Sequence, residues 1–415
     1  MAQQKFPLKR WILWLFGCLV VIGVMGVVLV SLFPGVGAQG ANILRSIFGN
    51  EFVARLETIV FQVQDGYEQI KYRLGFEKPA APWEAGPVIP AAPLPTELPT
   101  PLPATTTPTP AETPAPVITP SPTVPPPPTP TCTPQPWSLE KLKPFGKIAG
   151  EGVWSPYLAD TSGKTIAYRT FLQPDPERPY ATVAIVAFDL SRARLNYVLG
   201  TEEPAGSGGK QRTGKIPDEK RKPGKLLATF NGGFQATHGN FGAMADGIVA
   251  IPPRNGLGTI AIYKNGEVRM GEWGKDFTTQ ADMTAWRQNC PLVIQSGEVN
   301  PLVYRNMVQD WGGTIDGHIS TWRSAIALSK DGKTLYYLAG SKLNMPVLAK
   351  VLLTAGAYNA IQLDINESWV HFVAIRTKDN NLLPEPLLEQ GMNVRQDRYL
   401  GVYNRDFFYI TAETD

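Results

Sequence analysis

The sequence predicts an α+β fold for its C-terminal two-thirds: mostly β-strands, with one or two helices packed on them. Two observations lead there. Apolar runs of strand length are separated by Asn-Gly and Asp-Gly pairs, which favour the positive-φ turns that close tight hairpins. One stretch of that region, Met345–Ala355, combines helical spacing with a stop signal at each end. The remaining third is of another kind, first apolar, then amphipathic, then dominated by proline and threonine.

Residues 1–10 read as a short cytoplasmic tail with Lys5, Lys9 and Arg10, whose charge equals the chain's net +3. From Trp11 to Phe33 nothing is charged, and these 23 residues make a helix ~34 Å long, enough to cross a bilayer. Positive charge stays on the cytoplasmic side, so the expectation is a single-pass anchor in the cell membrane with the C-terminal part outside the cytoplasm. Gly35-Val36-Gly37-Ala38 is a weak candidate for signal-peptide cleavage. Leu15-Phe16-Gly17-Cys18 is a poor lipoprotein signal, because the apolar run continues past the cysteine. Residues 41–76 read as a helix in which Phe52, Leu56, Ile59, Val63, Tyr67, Ile70 and Leu74 draw one apolar stripe. The stripe suits a short coiled coil pairing two copies as a homodimer, a helix on a membrane surface, or a plain spacer. Residues 79–136 favour extended polyproline II and build no core, so they read as a disordered linker. Nearly sixty residues at ~3.1 Å each would reach well over 100 Å, and the expected role is to hold the head away from the membrane.

Residues 137–415 have the size of one large domain. Thr182–Leu190, Gly258–Tyr263, Ser324–Leu328 and Thr334–Leu338 read as strands, with Asn265-Gly266 and Asp331-Gly332 as turns. For the helix Met345–Ala355, Asn344 can cap the start, Pro346 fits the first turn, and Gly356 closes the end. A strand, Ala360–Leu363, then runs into Asp364.

Outside the basic tail the chain is near neutral, which removes the electrostatic case for nucleic acid. Cys18, Cys132 and Cys290 are too few for a disulfide framework. His238, His318 and His371 lack ligand-like spacing, which disfavours a zinc hydrolase. No cofactor is required, although a carboxylate pair can hold a divalent cation. Gly209–Lys215 has P-loop spacing, but Ile216 and Pro217 stand where a hydroxyl and a helix start are needed. That basic loop reads instead as solvated, able to steer an anion.

The most informative local signal is the apolar run Leu226–Phe230 ending in Asn231-Gly232-Gly233-Phe234. Such a turn can present backbone N–H groups and one Asn side chain to an anionic or hydroxyl-rich ligand. The loop beyond it holds His238, a group that titrates near neutral pH, and then Asp246-Gly247. Arg323, at a strand start, can clamp a phosphate or brace a carboxylate. Asp364 has Glu367 three residues on with Asn366 between. The pair can act as acid and base or hold a metal, or Asp364 can simply cap a turn.

Taken in order, Asn231-Gly232-Gly233-Phe234, Asp246-Gly247, Arg323-Ser324-Ala325-Ile326, the helix, and Ala360–Asp364 resemble the phosphodiester glycosidase family. That family shows Asn-Gly-Gly-Phe-Phe, then Arg-Thr-Ala-Ile-Gly, then a helix, then Leu-Asp-Gly-Gly-Gly-Ser. The resemblance runs from Leu226 to Phe372. It implies hydrolysis of a sugar-1-phosphodiester, which releases the sugar and leaves a phosphomonoester. By position it implies that Asn231, Gly232 and Gly233 shape a sugar-phosphate cradle; beside these, Asp246 and Asn366 are this chain's own candidates for further substrate contacts. Arg323 would face the phosphate and Asp364 would sit in the site, with Glu367 and His238 as additional acid–base candidates.

The chain departs from the family after Asp364, where Ile365-Asn366-Glu367 replace three glycines before Ser368. Isoleucine resists the positive φ that glycine permits, so the backbone there must differ. Phe-Phe has also become Phe234-Gln235. The function expected is a membrane-anchored envelope hydrolase acting on a glycosyl phosphodiester, either a sugar phosphate or a cell-surface glycan. The competing expectation is a non-catalytic module on the same fold that binds glycans or anionic polymers. The altered loop favours that second reading; the retained Asn231 and Arg323 oppose it. Either way Asn231, Arg323 and Asp364 are expected to converge on one cleft.

Overall fold

The computed structural model describes residues 47–83, 137–205, 212–305, 311 and 320–413. The anchor expected at 11–33 and the greater part of the proline tract, 84–136, lie outside them. No helix among the described residues is long and apolar enough to cross a membrane.

The chain enters through helix α1 (Asn50–Arg73) and then turns to strands. The first group is β1 (Ser155–Ala159), β2 (Thr165–Leu172), β3 (Val183–Asp189), β4 (Ala193–Val198) and β5 (Leu226–Asn231). The second is β6 (Ala243–Ala245), β7 (Ile248–Ile251), β8 (Gly258–Tyr263), β9 (Val268–Glu272) and β10 (Met283–Gln288). Two short strands follow, β11 (Ile294–Gln295) and β12 (Glu298–Val299), then β13 (Thr321–Leu328) and β14 (Thr334–Leu343). Helix α2 (Met345–Thr354) leads to β15 (Asn359–Ile365), β16 (Phe372–Lys378), β17 (Asn381–Pro386), the kinked segment Glu389–Met392, whose Gln390 and Gly391 are not helical, and β18 (Phe407–Ala412). The described head is therefore mostly β with few helices.

The strands form three antiparallel sheets: β1-β2-β3-β14-β13-β15-β11-β12, β7-β6-β10-β8-β9, and β17-β16-β5-β18-β4. In the first, β13 pairs antiparallel with β14 on one side and β15 on the other. Those two neighbours run parallel to each other, so the link between them must cross over β13, and α2 is that crossover. Its ends follow the sequence: Asn344 accepts a hydrogen bond from the Val347 N–H at 2.9 Å, and Gly356 takes φ 90° beyond the last turn. β13 and β14 reach further than their apolar runs, to Thr321 and Leu343, because the polar Arg323 and Ser324 are buried inside the pairing.

The first and third sheets close on one aromatic core. Phe230 of β5 stacks on Phe372 of β16 at 5.9 Å and on Phe408 of β18 at 5.5 Å, and Tyr337 of β14 meets it at 4.9 Å. β3 and β5 are buried along their whole length, as strands covered on both faces must be. The core thus ends directly beneath Asn231, the last residue of β5.

Helix α1 departs from the spacer reading. Arg178 donates to both carboxylate oxygens of Asp65 at 2.7 Å, Lys342 stands 3.8 Å from Glu68, and the rings of Tyr72 and Tyr180 are 5.6 Å apart. Trp83, inside the segment read as linker, packs edge-on against Phe171 at 5.8 Å with the Arg169 guanidinium over its ring at 4.4 Å. α1 precedes the proline tract yet belongs to the same compact unit as residues 140–413. The length of the tract therefore does not set how far the head stands from what precedes α1.

Candidate active site at the ends of β5 and β15

Strand pairing decides what meets the Asn231-Gly232-Gly233 turn. Phe407 of β18 pairs with Asn231, so Asp406 and Arg405 come to lie opposite Gly232 and Gly233. The Gly232 N–H donates to the Asp406 carbonyl at 3.2 Å, and the Asp364 N–H donates to the Gly232 carbonyl at 3.1 Å. The end of β15 is thereby tied to the end of β5.

Around this junction two acids and two bases are buried together. Asp406 Oδ2 accepts hydrogen bonds from Arg287 Nε at 2.9 Å, Tyr197 Oη at 2.9 Å and the Gly233 N–H at 3.2 Å. Arg287 directs three of its remaining donors to the carbonyls of Phe241, Gln288 and Phe234 at 3.0, 2.7 and 2.6 Å. Arg405 pairs with Asp364 Oδ2, and its guanidinium lies 4.1 Å from the centre of the Trp369 ring. The side chains of Arg287 and Asp406 are at most 1% exposed, so each charge depends on the other. Burial opposes the charge on Arg287, but Asp406 and Tyr197 more than offset it and hold the group above its ordinary pKa.

Asp364, 5% exposed, is the group whose proton is most delicately held. Burial pushes its carboxyl up to about 7; Arg405 pulls down, Asp406 pushes up, and Arg287 pulls down. A carboxyl near 7 exchanges a proton at neutral pH, as an acid–base catalyst must.

The two glycines are needed for a reason other than a sharp turn. Neither has positive φ. A Cβ on Gly232 would stand 2.2 Å from Asp406 Oδ2, and one on Gly233 would stand 2.9 Å from the Arg287 guanidinium carbon. Close approach of the buried ion pair demands them.

The other residues named from sequence fall in several places. Asn231 is buried: its amide donates to Ser324 Oγ at 2.9 Å and to the Gly232 carbonyl at 3.1 Å. Its oxygen accepts from Tyr337 Oη at 2.9 Å and the His371 N–H at 3.1 Å. Ser324 Oγ in turn donates to the Asp364 carbonyl at 2.7 Å, so Asn231 braces the junction instead of facing a ligand. Arg323 departs from the phosphate-facing role. It is fully buried and donates to the Leu343 carbonyl at 2.9 Å and to Gln362 Oε1 at 2.8 Å. Burial lowers its pKa to about 10. The cation beside Asp364 is Arg405.

Asp246 lies on the β6–β7 turn, exposed, at φ 50°. It lines a separate groove of about 700 Å³ with Arg212, Lys215 and Tyr409. Tyr197 also borders that groove and so links it to Asp406. His238 ends a half-buried 3-10 turn, Ala236–His238. Glu367 is exposed on the turn after β15; burial of its surroundings raises its pKa while Lys342 lowers it. The difficulty posed by Ile365 is solved by its neighbour. Ile365 stays in β15, and the left-handed position falls on Asn366 at φ 73°, a residue type that tolerates it. Asn366 Oδ1 accepts a hydrogen bond from Thr321 Oγ1 at 3.2 Å. No group of three or more His, Cys, Asp or Glu among the described residues is placed to hold a metal ion.

Sequence reasoning missed Arg287, Arg405, Asp406 and Tyr197. The one available signal was a charged pair, Arg405-Asp406, set directly before the wholly buried strand β18.

Comparison with known proteins bears on the same region. Residues 224–364 match the family model described as phosphodiester glycosidase. No curated protein matches the chain. Among solved structures, the chain is similar to the zebrafish N-acetylglucosamine-1-phosphodiester alpha-N-acetylglucosaminidase catalytic domain auto-inhibited by its pro-peptide. That similarity has 15% identity and a TM-score of 0.39, covering 63% of this chain and 88% of that one. A hypothetical protein from Synechocystis is similar at 12% identity and a TM-score of 0.33, over 62% of this chain and 64% of that one. The matched stretch begins just before β5 and stops at Asp364 itself, taking in Gly232, Gly233 and Arg287. Over that stretch the head matches the phosphodiester glycosidase family.

Proposed function

We propose that the chain is a membrane-anchored envelope hydrolase that cleaves the anomeric C–O bond of a glycosyl phosphodiester. The observation that carries this is Asp364: a buried carboxyl lifted to about 7, held against a guanidinium, at the end of the family-matched stretch. In the reaction a water adds to the anomeric carbon as the bond from that carbon to the phosphate oxygen breaks. The bonding pair leaves on the phosphate, and the water's proton passes to Asp364. A phosphomonoester is a stable leaving group, with a second pKa near 6, so the demand on the protein is for a base more than for an acid. Arg405 offsets the charge gathering on the phosphate.

The test is release of free sugar from UDP-N-acetylglucosamine and from a synthetic sugar phosphodiester by the full chain. Asp364→Asn is expected to lower the rate by roughly 10²–10⁴-fold, the usual worth of general acid–base catalysis, while still unfolding cooperatively. The binding-only reading keeps one supporting observation, since the side chains of Asn231 and Arg323 are taken up inside the fold. If wild type and Asp364→Asn are equally inert yet still bind a glycan, the binding reading replaces the hydrolase.

A further inference from the structure

Helix α1 meets the head by one face only. Asp65 and Glu68 point to Arg178 and Lys342. The apolar stripe looks away: Phe52, Ile59, Val63, Tyr67, Ile70 and Leu74 are each 50–66% exposed. These side chains span ~33 Å of helix at 1.5 Å per residue. A continuous apolar face of that length marks an interaction surface.

We propose that this stripe lies in the lipid interface of the membrane entered by residues 11–33, so that the head sits on the bilayer surface. The inference rests on the anchorage proposed above but not on the chemistry. Three observations favour lipid over a second copy of the chain. Only sixteen residues, 34–49, separate the end of the apolar segment from α1, and fully extended they reach at most ~55 Å. The stripe repeats every eleven residues, at Phe52, Val63 and Leu74, with inner spacings of four, three and four. Eleven residues over three turns is close to the period of a straight helix, so the stripe runs along one side without the left-handed winding that a seven-residue seam imposes. A straight stripe beds on a flat surface, with its apolar side chains ~5–10 Å deep at the headgroup boundary. Finally, two acidic residues of the helix that would resist an anionic membrane, Asp65 and Glu68, are turned to the protein and paired there.

The test uses the full chain in phosphatidylcholine–phosphatidylglycerol liposomes, with Cys18 and Cys132 replaced by serine; Cys290 is buried. Single cysteines at Val63→Cys and Ile70→Cys, and at the exposed Thr278→Cys as control, carry an environment-sensitive fluorophore. The labels at 63 and 70 are expected to shift to the blue and lose intensity to nitroxide-bearing lipids, and the label at 278 to do neither. Flotation of the same liposomes reports the anchor separately. A chain that floats while its labels at 63 and 70 behave like the one at 278 overturns the inference. So does ready oxidation of Val63→Cys to a linked dimer, which would assign the stripe to a second copy. A chain that does not float overturns the anchorage and this inference with it.

Discussion

Replacing Asp364 with asparagine separates two forces that oppose each other at this carboxyl. Burial favours the neutral acid, whereas Arg405 and Arg287 favour the carboxylate. With the balance at about 7 against an ordinary 3.8, the folded protein holds a proton on Asp364 that the unfolded chain has already released between those two values. Folded protein then binds more protons than unfolded, so stability falls as pH rises across that window and levels off above it. A rise from 3.8 to about 7 corresponds to ~4 kcal/mol at 1.36 kcal/mol per pH unit. Asparagine copies the neutral acid and cannot ionise. The stability of Asp364→Asn relative to wild type should therefore climb by about that ~4 kcal/mol between pH 4 and pH 8. The assay is urea unfolding of both proteins in detergent at several pH values, read as the difference of midpoints. A flat difference, or one that falls as pH rises, would mean that Arg405 holds Asp364 ionised. It would remove the proton-exchanging group on which the proposed reaction depends.

Catalysis should follow the same titration: sugar release should increase with pH through about 7, as the Asp364 base loses its proton. A rate that instead falls over that range would assign Asp364 to the acid role. Gly232→Ala would drive a Cβ to 2.2 Å from Asp406 Oδ2 and 2.7 Å from its carbonyl oxygen. Displacing that carboxylate strands Arg287, for a loss of about 3–5 kcal/mol by chemical denaturation; an unchanged midpoint would show that the ion pair is not what requires glycine. Asp65→Ala removes the bidentate partner of Arg178, at an expected cost of about 1–3 kcal/mol. It should also speed hydrogen exchange along α1, and unaltered exchange would mean that α1 is held by other contacts.

Local signals carried much of this protein. Strands β3 and β8, the turns at Gly266 and Gly332, and α2 with its caps at Asn344 and Gly356 all stand where residue pattern places them. Each depends on neighbours a few positions away, and such interactions are legible in one dimension. Asp364 and the two glycines were equally visible as residues. Their reasons were not. Gly232 and Gly233 are glycines because Asp406 and Arg287 press against them, and those partners are 174 and 54 positions further along the chain. The register of β18 on β5 is what puts Arg405 and Asp406 opposite the turn. No local pattern announces which strand will pair with which. The same holds for the cation of the site: Arg323, at a strand start, looked suited to a phosphate, but the pairing of β13 buries it against Leu343 and Gln362.

Helix α1 makes the division plainest. Its two faces, one apolar and one charged, are a property of spacing and could be drawn from the sequence alone. Which face meets the head was decided only in three dimensions, by Arg178 and Lys342 arriving from distant strands and loops to pair with Asp65 and Glu68. The sequence determined what each segment could become, since helix and strand arise from contacts within a few residues. The tertiary structure alone decided which charges would be buried together, because a buried charge is tolerable only where the fold brings it a partner.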